Sequence, residues 1–273
     1  MKQNNGNKRK FQELVVFTLV AISLSGCISK PIEGDPTSIS THIPPTLPTP
    51  ANLATPQTTM PPSHQISTIS DYEFPNSIDP AGQYLFYLHG KIIEDQGIPA
   101  ISPDYGEYEY EAILEKLSGY DSAVISEQRP KNTDVIAYAR KIIKEVNILL
   151  DAGVPAKNIT IVGASKGAGI AVYVSHLLEN SEVNFVIMAI CHPDIVETHK
   201  KDQIFLTGNV LSIYDRTDKF AGSCQDLFSY SEGKGISRYD EIVLNIGTGH
   251  GILYKPLDEW ILPTIQWAKS NDK

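Results

Sequence analysis

"ITIVGASKGAGIAVYVSH", residues 159–176, begins with four β-branched residues, reaches Gly163, and places Ser165 two residues further on before small and apolar residues follow at helical spacing. The first part reads as a buried strand and the last as a helix. With Gly163-Ala164-Ser165-Lys166-Gly167 between them there is no room for a loop, so the chain must turn sharply from one to the other. Side chains at the two glycines would collide with neighbouring backbone in such a turn. The turn lifts Ser165 above the strand ends, with the helix amino terminus beneath it. This is the GxSxG pattern of a nucleophilic serine. A phosphate-binding loop needs Gly-Lys followed by Ser or Thr, and here the order is Ser165-Lys166-Gly167.

Working outward, "QYLFYLHG", "SAVISEQR", "NITIVG", "NFVIMAIC", "NVLSIYD" and "EIVLNIG" are short and near-continuously apolar, as parallel strands buried on both faces should be. Helical segments are expected between them at 109–118, 133–152, 166–179, near 222–230, and at 256–269. In the second, Val135, Ile136, Ala139, Ile142, Ile143, Val146, Leu149 and Leu150 form an apolar stripe, Asn132 or Thr133 is placed to cap the start, and Gly153 with Pro155 ends it. Alternation of this kind predicts an α/β fold, a mostly parallel, doubly wound sheet of about six strands with helices on both faces. Sites in such sheets lie beyond the carboxyl ends of the strands.

A serine hydroxyl needs a base to take its proton and a third group to orient that base. "EIVLNIGTGHGILY" supplies His250, three residues past the predicted strand and between two glycines, and "NVLSIYDRTDKFAGS" supplies Asp215 and Asp218. GxSxG, then acid, then histidine, each after a strand, resembles the α/β-hydrolase family over nearly all of residues 80–270. The resemblance implies a Ser-His-Asp triad acting on an ester-like bond through an acyl-enzyme, with no cofactor and a small-molecule ester-like substrate. It favours Asp218 as the acid, with Asp215 as the alternative that instead stabilises the turn. It also implies an oxyanion hole formed by the backbone N–H groups of Lys166 and, after "YLFYLHGK", of Lys91. Two departures concern the subfamily: there is no HGGG run, and Ala168 stands where many relatives have a second glycine. A peptidase or thioesterase of the same fold is the alternative within enzymes. A non-catalytic, ligand-binding surface lipoprotein is the alternative outside them.

Other polar residues have plainer readings beside functional ones. His89 supports the oxyanion loop and is a candidate for the pocket, as is His192 at a strand's carboxyl end. His176 is read as packed or surface. "CHPDIVETH" follows a strand as an ordinary loop and its spacing fits no closed zinc pattern, so no metal is expected. Arg129 is expected to pair with a surface carboxylate rather than to bind an anion. The tyrosines and acids of "ISPDYGEYEYEAI" either shape a substrate pocket or belong to a solvated helix start.

The domain is expected to span residues 71–273. Before it, residues 28–70 are mostly Pro, Thr and Ser and lack the apolar surface needed to offset ordering entropy, so they are expected to form a disordered tether. Residues 1–27 combine Lys2, Lys8, Arg9 and Lys10 with the apolar "LVVFTLVAISL" and end in "LSGC". That tetrapeptide resembles the lipobox of bacterial lipoproteins, which implies cleavage before Cys27, lipid attachment to it, and an exported, membrane-anchored product on the periplasmic or extracellular face. Without the four basic and one acidic residue of that segment, 19 basic residues stand against 31 acidic, a formal charge of −12. Such a body is a poor partner for nucleic acid and for anionic membrane surfaces. Oligomeric state is left open, as is whether Cys191 and Cys224 are bonded.

Overall fold

The computed structural model describes residues 74–270. The signal segment, Cys27, the tether and the expected domain start at residue 71 lie outside the described residues.

The main sheet contains β1 (Gln83–Leu88), β4 (Ser122–Ile125), β5 (Ile159–Ala164), β6 (Asn184–Met188), β7 (Gly208–Asp215) and β8 (Ile236–Leu244), in the order β4-β1-β5-β6-β7-β8. Every pairing is parallel. A separate two-stranded ladder joins β2 (Ile101–Ser102) to β3 (Gly106–Glu107). The sheet is apolar on both faces because both are covered. Phe86, Ile161, Phe185, Ile187 and Val210 pack with α3 (Val135–Asp151), α4 (Lys166–Leu178), α5 (Pro193–Lys201) and α6 (Gln225–Ser231). On the other face Leu85, Tyr87, Val162, Val186 and Leu211 pack with α1 (Lys91–Gln96), α2 (Tyr110–Ser118) and α7 (Asp258–Lys269). Alternation along each strand thus divides its side chains between two cores. Each large residue so buried contributes about 1.5–3 kcal/mol.

Several local readings change. The cap of α3 is Asp134, whose side chain accepts from the Ala137 N–H at 2.7 Å, because its carboxylate, not the side chain of Asn132 or Thr133, reaches the first-turn amides. Ile136, counted in the stripe, stays 42% exposed. The segment read as a loop at 191–199 forms α5 from Pro193; only Val196 and His199 of it are buried, too few for an apolar period to be visible. The six-residue α1 is too short to have one.

The sheet order decides where a site can form. From β1 the chain passes through α2 on one face to the edge strand β4, and from the adjacent β5 it passes through α4 on the other face to β6. The connections after β1 and β5 therefore diverge to opposite faces, and a crevice opens between them at the carboxyl ends.

Candidate active site

Ser165 stands at that crevice. It joins β5 directly to α4 with φ 52° and ψ −116°, a conformation that L-residues rarely adopt. Its neighbours show what holds it there. A Cβ on Gly163 would lie 2.4 Å from the Gly167 carbonyl oxygen, and one on Gly167 would lie 1.8 Å from the Leu88 carbonyl oxygen at the end of β1. Both glycines are therefore required by backbone approach, and the second presses the turn against the connection that follows β1.

His250 lies in a 3-10 turn, Gly249–Tyr254, after β8. The strand ends at Leu244, earlier than expected, so the histidine is carried by a longer excursion. Its Nδ1 is 2.7 Å from Asp218 Oδ2 and its Nε2 is 3.0 Å from Ser165 Oγ. An ionised carboxylate only accepts hydrogen bonds, so with Asp218 charged Nδ1–H donates to it and Nε2 is left to accept from the serine hydroxyl. The Asp218 side chain is inaccessible and that of His250 is 14% exposed. Asp218 Oδ1 is occupied by the Phe220 N–H at 2.8 Å, which leaves Oδ2 for the imidazole. The Phe220 ring packs edge-on against His250 at 5.6 Å.

Asp215 does different work three residues away. Its Oδ1 accepts from the Thr217 N–H and hydroxyl and from the Gly249 N–H, and its Oδ2 from the N–H groups of Ile246 and Gly247. It thereby ties the connection after β7 to the one that carries His250. Burial pulls its carboxyl upward, but the bonds from Thr217, Ile246 and Gly247 outweigh that and leave it below the ordinary carboxylate value. Cys191 and Cys224 are disulfide-bonded, joining the connection after β6 to the start of α6 beyond the Asp218 loop.

A cavity of about 140 Å³ adjoins Ser165 and His250, lined also by Gly90, Lys91, Ile92, Tyr108, Leu253 and Tyr254. Tyr108 comes from the tyrosine-rich segment before α2, and Tyr105 of the same segment packs 6.5 Å from the His250 ring. Tyr108 therefore lines the cavity, whereas the acids Glu107 and Glu111 are exposed, Glu111 in the first turn of α2, so each of the two readings holds for part of the segment. Lys91 and Lys166 each open a helix, α1 and α4, and amides in a first helical turn have no intrahelical acceptor.

His89 and His192, both pocket candidates, do not line this cavity. His89 is fully buried: its Nε2 accepts from the Arg129 N–H at 2.9 Å, so Nδ1–H donates to the Gly90 carbonyl oxygen at 2.8 Å. Burial and, next, the Arg129 charge lower its pKa to about 3, so it stays neutral and has no free nitrogen to act as base. His192 caps α5, with Nδ1 accepting from the Asp194 N–H. Arg129 also departs from expectation. It is buried, 1% exposed, with Nε 2.8 Å from Glu94 Oε1 and Nη2 donating to the His89 carbonyl. A strand-end arginine can turn inward only where another element brings a carboxylate, and α1, invisible in the sequence pattern, brings Glu94.

Among solved structures the chain is similar to SOBER1 of Arabidopsis thaliana, with a TM-score of 0.50 and 12% identity over 71% of this chain and 100% of that one. An arylesterase gives 0.48 and 14% identity over 71% of this chain and 77% of the other. The esterase domain of a Rhodothermus marinus protein gives 0.46 and 16% over 71% and 87%. At such identities the likeness speaks for architecture alone, and the chain has the α/β-hydrolase fold. No protein-family model matches the chain, and no curated protein matches it in sequence.

Proposed function

We propose that the chain is a serine hydrolase that cleaves an ester-like bond through an acyl-enzyme on Ser165, His250 and Asp218. The observation that carries this reading is the continuous hydrogen-bonded series from Asp218 Oδ2 through both imidazole nitrogens to Ser165 Oγ at the wall of a cavity. Ser165 Oγ attacks the ester carbonyl carbon while His250 Nε2 takes its proton. Asp218 holds the tautomer and stabilises the imidazolium. The backbone N–H groups of Lys91 and Lys166 receive the developing oxyanion, a contribution of about 3–4 kcal/mol per donor in comparable sites. His250 then protonates the departing alcohol, a water attacks the acyl-enzyme with His250 again as base, and the carboxylic acid leaves.

A cavity of about 140 Å³ suits an acyl group of a few carbons, since a cavity of ~150 Å³ holds a benzene-sized guest. For location, "LSGC" at residues 24–27 and the basic start before it support export with a lipid on Cys27, and the Pro- and Thr-rich stretch after it supports a tether. Among the described residues no helix is long and apolar enough to cross a membrane.

Fluorophosphonate labelling tests the chemistry. Wild type should be labelled once, at Ser165, and should hydrolyse p-nitrophenyl acetate and butyrate faster than the decanoate; Ser165→Ala should fold and do neither. Folded wild type that stays unlabelled and inactive on all three esters would make the chain a binding protein instead.

A further inference from the structure

Behind the two amides assigned to the oxyanion lies a charged cluster that the triad does not use. Glu94, on α1 one turn after Lys91, is buried with its side chain 1% exposed. Its Oε1 accepts from Arg129 Nε at 2.8 Å and its Oε2 from Lys166 Nζ at 2.5 Å. Lys166 Nζ also donates to the Thr133 carbonyl at 2.8 Å, and Arg129 Nη2 to the His89 carbonyl. The cluster thus links the connections that follow β4, β1 and β5, three adjacent strands. Lys166 is the residue after Ser165, and His89 lies two residues before Lys91. Each amide of the oxyanion hole is therefore attached through a short piece of backbone to one arm of the cluster.

Stability alone is a poor explanation for it. Arg129 Nη1 is buried with no hydrogen-bond partner among the described residues, and a buried ion cluster with an unsatisfied guanidinium nitrogen is weak support for stability. An ammonium belonging to the first residue of α4 also opposes the helix dipole. What the cluster does fix is the distance between α1 and the turn at Ser165, reinforcing the backbone contact that Gly167 makes with Leu88.

We propose that Glu94, Arg129 and the Lys166 side chain are positioning residues that hold the Lys91 and Lys166 amides at the spacing the oxyanion requires. The proposal rests on the hydrolase reading above, but assigns the Lys166 side chain a role separate from its own N–H. Lys166→Met separates the two, since it keeps the amide, removes the ammonium, and leaves Glu94 paired with Arg129. Expected on p-nitrophenyl acetate is a fall in kcat of about 10- to 100-fold, with KM within twofold of wild type and a smaller loss of Tm than in Glu94→Gln. Affinity for a short trifluoromethyl ketone, which forms the tetrahedral oxyanion on the enzyme, should fall by a similar factor. Glu94→Gln should lower kcat in the same way and lower Tm further, and Lys166→Arg should restore most of the kcat lost in Lys166→Met. If Lys166→Met keeps wild-type kcat and ketone affinity while wild type hydrolyses and labels normally, the positioning role is wrong and the hydrolase reading stands. A lower kcat in Lys166→Met accompanied by a raised KM and a loss of Tm as large as in Glu94→Gln likewise overturns it, as general loosening. Wild type that neither hydrolyses nor labels removes both readings together.

Discussion

The turn that carries Ser165 and the loops that carry Asp218 and His250 reach the same cavity by opposite means. At the serine the geometry comes from backbone packed on backbone: a strand and a helix with one residue between them, two glycines with no space for a Cβ, and a strained φ that the surrounding contacts impose. On the other side nothing is so tight. Asp218 and His250 lie on separate excursions after β7 and β8, and a buried carboxylate, Asp215, holds the two together through three backbone N–H groups of the histidine loop. One half of the site is set by sterics and the other by polar satisfaction. The second half should therefore separate into parts, some that serve chemistry and some that serve stability, when it is mutated.

Asp218 and Asp215 provide the sharpest division. Asp218→Asn should lower kcat by about 10³- to 10⁴-fold, because an amide that donates to Nδ1 favours the wrong tautomer, and it should leave Tm near wild type. Asp215→Asn should do the reverse, costing about 2–3 kcal/mol of stability through lost charge-assisted bonds to buried N–H groups, with kcat of the folded protein kept within about tenfold. Paired kinetics and thermal melts decide it. Matching profiles for the two variants would erase the distinction.

A comparable loss of stability, with a much smaller effect on catalysis than Asp218→Asn, is expected from removing the bond between Cys191 and Cys224, 33 residues apart. Replacing both by alanine should destabilise the domain by about 2–4 kcal/mol, while kcat falls far less than in Asp218→Asn. An unchanged Tm in the double variant would show that Asp215 alone is enough to hold this side.

The smallest effect is a pH dependence. The Asp215 carboxyl lies below its ordinary value when folded, so its contribution to stability is present above the unfolded carboxylate range and is lost as pH falls through the lower folded value. The Tm difference between wild type and Asp215→Asn should accordingly be widest near neutrality and narrow as the pH is lowered through the carboxylate range. A gap that stays constant would mean that hydrogen-bond geometry, not charge, makes Asp215 useful.

The α/β order, both cores and the serine turn were legible in the sequence, because each is written in contiguous residues. Apolar strands buried on both faces, the period of α3 and the GxSxG junction depend on local sterics that any reader of the chain can apply. The candidate base was legible for a related reason, since His250 follows a strand and is flanked by glycines. Other features had no local mark. Asp215 and Asp218 share one loop, and only the position of the β8 connection decides which of them meets the imidazole. Arg129 and Glu94 are 35 residues apart and lie after different strands, so neither announced that it would be buried. The same holds for the pairing of Cys191 with Cys224, and for Tyr108 entering the cavity while His89 and His192 stay out of it. Backbone preference acts over a few residues and is therefore carried by the sequence itself. Burial, charge pairing and cavity walls arise between segments that the fold brings together, and only the tertiary structure states which segments those are.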